Sequence, residues 1–234
     1  MSAESPIHAY LEKPSMVDYP GRFAAVFFTS GCNFACGFCH NAELMAKRRA
    51  GLSWNQLESA CKGFRRAWVD SIVLTGGEPT LVDDLSGLLR FFKDRFGFAI
   101  KLDTNGSNPD RLAECLPLVD YAAMDIKCGL DAYPDHTGFA ESEKIKTSIA
   151  LIRSQAKEYE FRTTVMESIH ADEQMDEIAE LVDGSQRYAL QPFIPRDHLP
   201  GKRYRTLPRT SSKRLHELRE RMEGCAKEIL VRGA

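Results

Sequence analysis

Three cysteines, Cys32, Cys36 and Cys39, stand in the spacing CxxxCxxC directly after the apolar run 23–28. This layout is typical of a cluster-binding loop at the end of a β-strand. Three thiolates so close in sequence can bind three irons of a cubane iron–sulfur cluster, and no fourth cysteine stands nearby for the remaining iron. The motif therefore predicts a cluster with one open iron, which can bind and reduce a small molecule.

The segment 32–41 also has other interpretations. A closed zinc site of the Cys3His type would need the adjacent Cys39 and His40 to bind one ion, whereas such sites usually space their ligands by two or more residues. Residues 36–40 read CxxCH, the attachment motif of c-type haem, but residues 1–4 do not resemble the start of an export signal. A redox dithiol would leave Cys32 without a role. The segment favours a cluster without deciding the matter.

The charge of the chain argues against two classes of partner. Lys and Arg number 31 against 33 Asp and Glu, a formal charge of −2, so the chain lacks a strong field for nucleic acid or an anionic membrane. The longest wholly apolar run, 23–28, is far too short to span a membrane. We therefore expect a cytoplasmic protein with no nucleic-acid or membrane partner.

The other cysteines show no sign of a disulfide framework. The chain has 7 cysteines, an odd count, and no second CxxC pair occurs among Cys61, Cys115, Cys128 and Cys225. We expect these four to be reduced and individually buried. Cys128 follows a motif-bearing strand, so it can also approach the site.

Strand and helix patterns alternate along the chain. Strands are predicted at 23–29, 71–75, 99–103, 121–126, 161–165, 187–191 and 229–231, and helices from 53 and at 83–96, 109–115, 141–159, 172–182 and 211–224. Repeated βα units form a parallel sheet, either doubly wound or as an open partial barrel. We expect one α/β domain over 1–234, with an irregular lead-in over 1–22 and a loop, a helix and a short strand over 192–234.

Polar and glycine residues follow the carboxyl ends of these strands, where α/β folds build their sites. The second strand is followed by Gly76-Gly77-Glu78-Pro79, in which glycines let backbone approach a ligand and the glutamate can meet an ammonium group. The third ends in Asp103-Thr104-Asn105-Gly106, and the fourth carries Asp125 and Lys127 on one face. Each motif alone also fits a turn or a salt pair, but their convergence on one rim predicts a binding site.

With these motifs the sequence resembles the radical S-adenosylmethionine (SAM) enzymes, which share the CxxxCxxC loop, the Gly-Gly-Glu-Pro motif and a partial (β/α)6 barrel of the triosephosphate-isomerase type. Within that family it is similar to the glycyl-radical-enzyme activating proteins, above all those of anaerobic ribonucleoside-triphosphate reductase. The segments that carry this likeness are 18–21, 39–41, 101–109, 124–127, 162–165 and 190–193.

The resemblance implies a reaction and its cofactors. Cys32, Cys36 and Cys39 would hold a 4Fe-4S cluster and form the catalytic set, and SAM would be cleaved there to methionine and a 5′-deoxyadenosyl radical. That radical would take hydrogen from a glycine Cα of a partner, a glycyl radical enzyme. The electron would come from a flavodoxin or ferredoxin type donor.

The resemblance also implies roles for the rim residues. The cofactor's amino group would be held by Gly76, Gly77 and Glu78, and its adenine by Phe38 and His40. Its ribose or carboxylate would be held by Asp103, Asn105, Asp125 and Lys127. In similar activating enzymes a monovalent cation is held by residues that match Asp103, Thr104 and Asp125. A cofactor-contacting histidine there is similar to His198, which in this chain lies in an expanded loop.

Two points of function stay open in the sequence. The basic stretch Lys202, Arg203, Arg205, Arg209, Lys213 and Arg214 fits either a docking surface for a partner or acidic electron donor, or a solvated helix face. The alternatives to an activating enzyme are a radical SAM enzyme for a small molecule, similar to deazaguanine synthases, and a non-catalytic metal or haem module.

Overall fold

Within the described residues, 4–45 and 50–233 of a computed structural model, eight strands form one sheet. Their bounds are β1 Ile7–Tyr10, β2 Ala24–Thr29, β3 Ser71–Gly76, β4 Ala99–Thr104, β5 Tyr121–Asp125, β6 Tyr159–Val165, β7 Ser185–Pro192 and β8 Ala226–Val231. They lie side by side in chain order. β1 pairs antiparallel with β2, and every later neighbour pair is parallel.

This strand order decides between the two predicted architectures. A doubly wound sheet reverses its strand order at one point, whereas here the order never reverses. Each right-handed crossover therefore places its connection on the same face of the sheet. The result is an open (β/α) barrel in which β2 to β7 supply the six predicted units, which confirms the predicted fold class.

The helices lie between the strands as predicted, and three further short ones occur. Their bounds are α1 Ala42–Met45, α2 Trp54–Arg66, α3 Leu85–Phe96, α4 Pro109–Cys115, α5 Tyr133–Thr137, α6 Ser142–Gln155, α7 Asp172–Val182, α8 Lys202–Arg205 and α9 Ser212–Arg221. Side chains cap several of the longer ones: Ser53 and Gln56 form a capping box at α2, and Asp84 and Asn108 accept from the first turns of α3 and α4.

The two faces of the sheet have different chemistry. Alternate residues such as Ile100 and Leu102 on β4 join the large apolar core, against which the helices pack. The residues between them face the inside of the barrel, where a small second cluster forms around Tyr19, Val26 and Tyr121. Toward the carboxyl ends, this inner face carries charged side chains instead.

Several predicted boundaries were wrong. Part of the predicted irregular lead-in is β1, because Ile7 is fully buried and pairs with the edge of β2. The helix predicted over 141–159 ends at Gln155, and Tyr159 already pairs with Ala122 in the sheet. The last strand begins at Ala226 rather than at 229. Residues 1–3 of the predicted lead-in lie outside the described residues.

Among the residues that the structure describes, no helix combines the length and apolar character needed to cross a membrane.

Candidate active site

The segment 32–41 lies in the loop that follows β2, which we call the cysteine loop. This loop is held on both sides by backbone hydrogen bonds. The Gly31 N–H donates to the Leu44 carbonyl at 2.7 Å, and the Ala35 N–H donates to the Thr137 carbonyl at 2.6 Å. Phe34 is 4% exposed, and its ring lies 5.0 Å from that of Phe139. This buried aromatic fixes the loop between its three cysteines.

The three thiols line one pocket at the carboxyl ends of the strands, and none is in a disulfide. Burial raises the pKa of the Cys32 thiol to about 12 and that of Cys36 to about 11. The Phe34 N–H and the Asn105 amide both donate to the Cys32 sulfur, at 3.4 and 3.8 Å. Metal binding is therefore expected to displace protons from these thiols, and donors already point at one sulfur.

The turn after β3 is fastened to the end of β2. Gly76 has φ +130°, and a Cβ there would lie 2.2 Å from the Thr29 carbonyl oxygen, so both conformation and space require glycine. The Gly77 N–H donates to that same oxygen at 3.0 Å, and the Glu78 N–H donates to the Gly31 carbonyl at 2.8 Å. The Gly-Gly-Glu turn thus lies against the first residues of the cysteine loop.

Glu78 is buried and joins the turns that follow β3 and β4 at the rim, the edge of the barrel formed by the carboxyl ends of the strands. Its Oε1 accepts hydrogen bonds from the Thr80 N–H, the Thr80 hydroxyl and the Thr104 hydroxyl at 3.1, 2.6 and 2.8 Å. Its Oε2 accepts from the Asn105 N–H at 2.6 Å. Burial raises the pKa of this carboxyl, although its donors oppose the shift. A direct contact of Glu78 with an ammonium group stays a prediction; its observed contacts hold the rim.

A network of ion pairs lines the inner wall of the pocket. Arg162 on β6 donates to Asp125 at 2.8 Å and contacts Asp103 at 3.4 Å. Lys127 contacts the other oxygen of Asp125 at 2.9 Å, and Lys101, 1% exposed, contacts Asp103. Burial alone would raise the pKa of Asp125, but Arg162 and Lys127 outweigh it and hold this pKa well below its usual value.

These ion pairs bear on the predicted monovalent cation. Both oxygens of Asp103 and both of Asp125 already contact protein cations, and the Thr104 hydroxyl donates to Glu78. In the described part of the chain, no group of three or more His, Cys, Asp or Glu side chains could together hold a single metal ion; a cubane cluster differs, because each of its thiolates binds a separate iron. The cation at Asp103, Thr104 and Asp125 stays a prediction.

The structure brings together nearly all the predicted site residues. The pocket is lined by Cys32, Cys36, Phe38, Cys39, His40, Gly76, Gly77, Glu78, Asp103, Thr104, Asn105, Asp125 and Lys127. His198 is not in this lining; its ring lies 3.2 Å from the His40 carbonyl oxygen. His40 in turn contacts the Ile194 carbonyl at 2.7 Å. His198 thus reaches the site through the backbone of His40.

Sequence reasoning missed five lining residues: Phe34, Asn41, Thr75, Arg162 and Thr164. Arg162 and Thr164 had a readable signal, because they alternate on β6 with Phe161 and Val165 of the apolar core. Period two places them on the inner face, beside the charges of β4 and β5.

Fold and site together define the class of protein. The family model of the Radical SAM superfamily matches residues 26–183, more than half of the chain. The chain therefore belongs to the radical SAM superfamily, an enzyme class that uses a 4Fe-4S cluster and SAM.

Two relatives match this chain over most of their own length. The chain is 34% identical over 212 residues to a protein of Methanocaldococcus jannaschii named "Putative glycyl-radical enzyme activating enzyme", covering 87% of this chain and 86% of the relative. It is 29% identical over 188 residues to the 7-carboxy-7-deazaguanine synthase of Thermococcus kodakarensis, covering 71% and 72% of the two chains.

Among solved structures, the fold is similar to that of SuiB from Streptococcus suis, with TM-score 0.65 and 17% identity over 89% of this chain. The chain spans about half of that protein, 49% of its length. A second structure of SuiB, bound to S-adenosylmethionine, matches with TM-score 0.63 at 17% identity, covering 87% of this chain and 48% of that one.

The residues present fit the cofactors of the family. Three thiols without disulfides line one pocket, and Cys128, fully buried, is not among its lining residues. Three sulfur ligands and no fourth are the donor set that a 4Fe-4S cluster with one open iron requires. Beside them, carboxylate, amide, lysine and arginine groups offer partners for the amino, carboxylate and ribose groups of SAM.

Proposed function

We propose that this chain is a radical SAM activating enzyme that installs a glycyl radical on a partner enzyme. The observation that carries the proposal is the similarity to the Methanocaldococcus jannaschii relative, at 34% identity over nearly the full length of both chains. We further propose anaerobic ribonucleotide reductase as the partner and the cytoplasm as the location, which rest on the sequence motifs described above.

The cluster and SAM, when bound, supply a 5′-deoxyadenosyl radical that abstracts hydrogen. Cys32, Cys36 and Cys39 would hold the cluster, with the Asn105 amide and the Phe34 N–H donating toward the Cys32 sulfur. Such hydrogen bonds reduce negative charge on a sulfur ligand and tune the reduction potential. The loop would thus hold the cluster, and its Phe34 N–H together with Asn105 from the turn after β4 would adjust the reduction potential.

The inner wall would bind the polar groups of SAM. Lys127 and Arg162 present positive charge beside the thiols, and Asp103 and Asp125 balance it. Because these four groups already fix one another, their positions do not depend on the ligand. Glu78 supports them by holding the two adjacent turns through Thr80 and Asn105.

The open sheet suits a protein substrate. In the described residues the strand order ends at β1 and β8 rather than closing, and the pocket lies at the carboxyl ends of the strands. A glycine-bearing loop of a partner would approach this end, with its Cα directed at the cofactor. The prediction of a protein substrate rests on this open mouth together with the relative.

Electron paramagnetic resonance tests the proposal. The protein is reconstituted anaerobically with iron and sulfide and mixed with SAM, dithionite and an anaerobic ribonucleotide reductase. We expect a glycyl radical doublet on the reductase and 5′-deoxyadenosine in solution. Deoxyadenosine without a doublet on any candidate glycyl radical enzyme would refute the activating role and leave the radical chemistry standing.

A second candidate is a radical SAM enzyme that acts on a small molecule. The 29% identity to a 7-carboxy-7-deazaguanine synthase, which also covers most of both chains, favours it. It predicts consumption of a heterocyclic substrate with deoxyadenosine formation in the absence of any partner protein. Substrate turnover measured by liquid chromatography separates it from the activating role.

A further inference from the structure

Residues 194–206, which we call the basic loop, carry a net positive charge, opposite in sign to the net charge of the whole chain. They contain four cations, Arg196, Lys202, Arg203 and Arg205, against one carboxylate, Asp197, a net of +3 by count. The whole chain has a formal charge of −2. A local field of this sign attracts an acidic surface.

Two cations of the basic loop are free to meet a partner. Arg196 and Lys202 are exposed, and among the described residues neither side chain has an ion pair or hydrogen bond. Arg205 is committed to the Leu199 carbonyl at 2.7 Å. Arg203 stacks over the Tyr204 ring, with its guanidinium carbon 4.7 Å from the ring centroid.

The rest of the basic stretch predicted from the sequence is engaged elsewhere. Arg214 contacts Asp172 at 2.7 Å, Lys213 contacts Glu217 at 3.6 Å, and Arg209 donates to the Gly233 carbonyl. These three residues lie outside α8, two of them on α9. The stretch is therefore not one helix face, and its unpaired charge is concentrated in the basic loop.

The basic loop is built onto the cysteine loop. The Gly201 N–H donates to the Gly37 carbonyl at 2.8 Å, and the Tyr204 ring lies 5.6 Å from the Phe38 ring at 74°. A Cβ on Gly37 would lie 2.6 Å from Tyr204, so glycine is what lets the two loops touch. At the other end of the loop, His40 contacts the Ile194 carbonyl.

We infer that the basic loop is the docking surface for an acidic one-electron donor protein, which carries a flavin or an iron–sulfur centre. The inference rests on the proposed radical SAM function, in which the bound cluster must gain an electron. In that transfer the reduced donor loses one electron and the oxidised cluster gains it, with no other co-reactant. Docking at Lys202 places the donor against Gly201 and Tyr204, which contact Gly37 and Phe38 between the cysteines.

A small anionic ligand fits this surface less well. Arg196 and Lys202 are absent from the lining of the pocket, and both residues are exposed. Charges on an open surface mainly steer a large partner and fix its orientation. The geometry thus favours a protein with an acidic face.

Binding of a flavodoxin tests the surface without relying on turnover. The double variant Arg196→Glu/Lys202→Glu is compared with Lys13→Glu/Lys227→Glu, which changes the net charge equally at exposed lysines near the amino ends of β2 and β8. Anaerobic calorimetry on the reconstituted proteins is expected to give a Kd at least about tenfold weaker for the first variant only. An equal loss of flavodoxin affinity in both variants would assign the effect to net charge and would overturn the basic loop as the docking surface.

Deoxyadenosine formation separates this inference from the proposed function. With dithionite as reductant, both variants are expected to form deoxyadenosine at the wild-type rate. With flavodoxin, flavodoxin reductase and NADPH as the electron source, only Arg196→Glu/Lys202→Glu is expected to form it more slowly. If the wild-type protein cleaves SAM with dithionite and yet neither binds flavodoxin or a ferredoxin nor accepts electrons from them, that result overturns the docking inference alone. If the wild-type protein does not cleave SAM with dithionite, the proposed radical function is overturned. The calorimetric comparison would still test whether flavodoxin binds at the basic loop.

Discussion

Arg162 on β6 donates a 2.8 Å hydrogen bond to Asp125 at the end of the neighbouring strand β5. The same guanidinium contacts Asp103 on β4, so one side chain ties three consecutive strands at the level of the pocket. Its side chain is 13% exposed. Fixed charge of this kind costs no reorganisation when a ligand binds.

Replacing Arg162 by Met is expected to leave Asp103 and Asp125 short of a cation inside the barrel. Removing one partner of a mostly buried pair costs about 3 kcal/mol of unfolding free energy, measured by urea denaturation. Binding of SAM to the reconstituted protein should weaken as well. Arg95→Met removes an exposed pair with Glu58 and is expected to change neither quantity appreciably. Equal stability of the two variants would refute the role given to Arg162.

Glu78→Gln is expected to loosen the rim. The amide replaces one acceptor oxygen with an NH2 group, so a donor faces either Asn105 or the two threonines. The cost is about 2 kcal/mol of unfolding free energy, and the Thr80 and Asn105 N–H groups should exchange faster with deuterium. In the control Glu114→Gln, which affects an exposed pair with Arg111, exchange at Thr80 should stay unchanged. Unaltered protection of both amides in Glu78→Gln would contradict the assignment.

Cys36→Ala is expected to abolish the visible absorbance of the reconstituted cluster and SAM cleavage, while circular dichroism stays that of the wild type. Cys128→Ala provides the control, since Cys128 is fully buried but absent from the pocket lining. It should keep the cluster and lose only about 1 kcal/mol of unfolding free energy. A cluster retained at full occupancy in Cys36→Ala would refute the ligand set.

His170 is expected to make the protein less stable in mild acid. Burial lowers its pKa from 6.5 to about 4. Its Nδ1 accepts from the Met166 N–H and its Nε2 lies 2.9 Å from the Lys127 carbonyl, contacts that the neutral ring satisfies. As pH falls from 6.5 to 4, His170 becomes protonated in the unfolded chain but stays neutral in the folded protein. The free energy of unfolding therefore falls by about 3 kcal/mol.

Urea denaturation at several pH values measures this loss. His170→Gln should show a shallower decline between pH 6.5 and 4, because the share of His170 is removed while His136 and the carboxylates with lowered pKa values still contribute. The exposed His216 offers the matched variant His216→Gln, which should follow the wild-type curve. A wild-type slope retained in His170→Gln would exclude this histidine as the cause.

Most of the fold could be predicted because its strands are apolar runs separated by clear helix signals. The seven parallel strands were all predicted, as was the convergence of their carboxyl ends. α1, α5 and α8 were not, because helices of 4, 5 and 4 residues are too short to show a period of 3.6. β1 was missed because its 4 residues pair with an edge that only the folded sheet provides.

The site was predictable in its membership but not in its internal contacts. The motifs identified Glu78, yet spacing along the chain does not reveal that Thr80, Thr104 and Asn105 use its lone pairs. The ion-pair partners of Arg162 could not be predicted because they are 37 and 59 residues away in sequence. Such pairings depend on strand register, which the sequence pattern leaves undetermined.

The inner face of the sheet also links β6 to the segment that follows β8. Glu160 on β6 is fully buried, and its carboxylate is held by Arg232, which follows it by 72 residues. A carboxylate is costly to bury without a partner, so Arg232, together with the Tyr121 hydroxyl that also donates to Glu160, makes this burial tolerable. Arg232 therefore couples the segment after β8 to the interior beside β6, so a chain shortened before this residue is expected to lose stability two strands away.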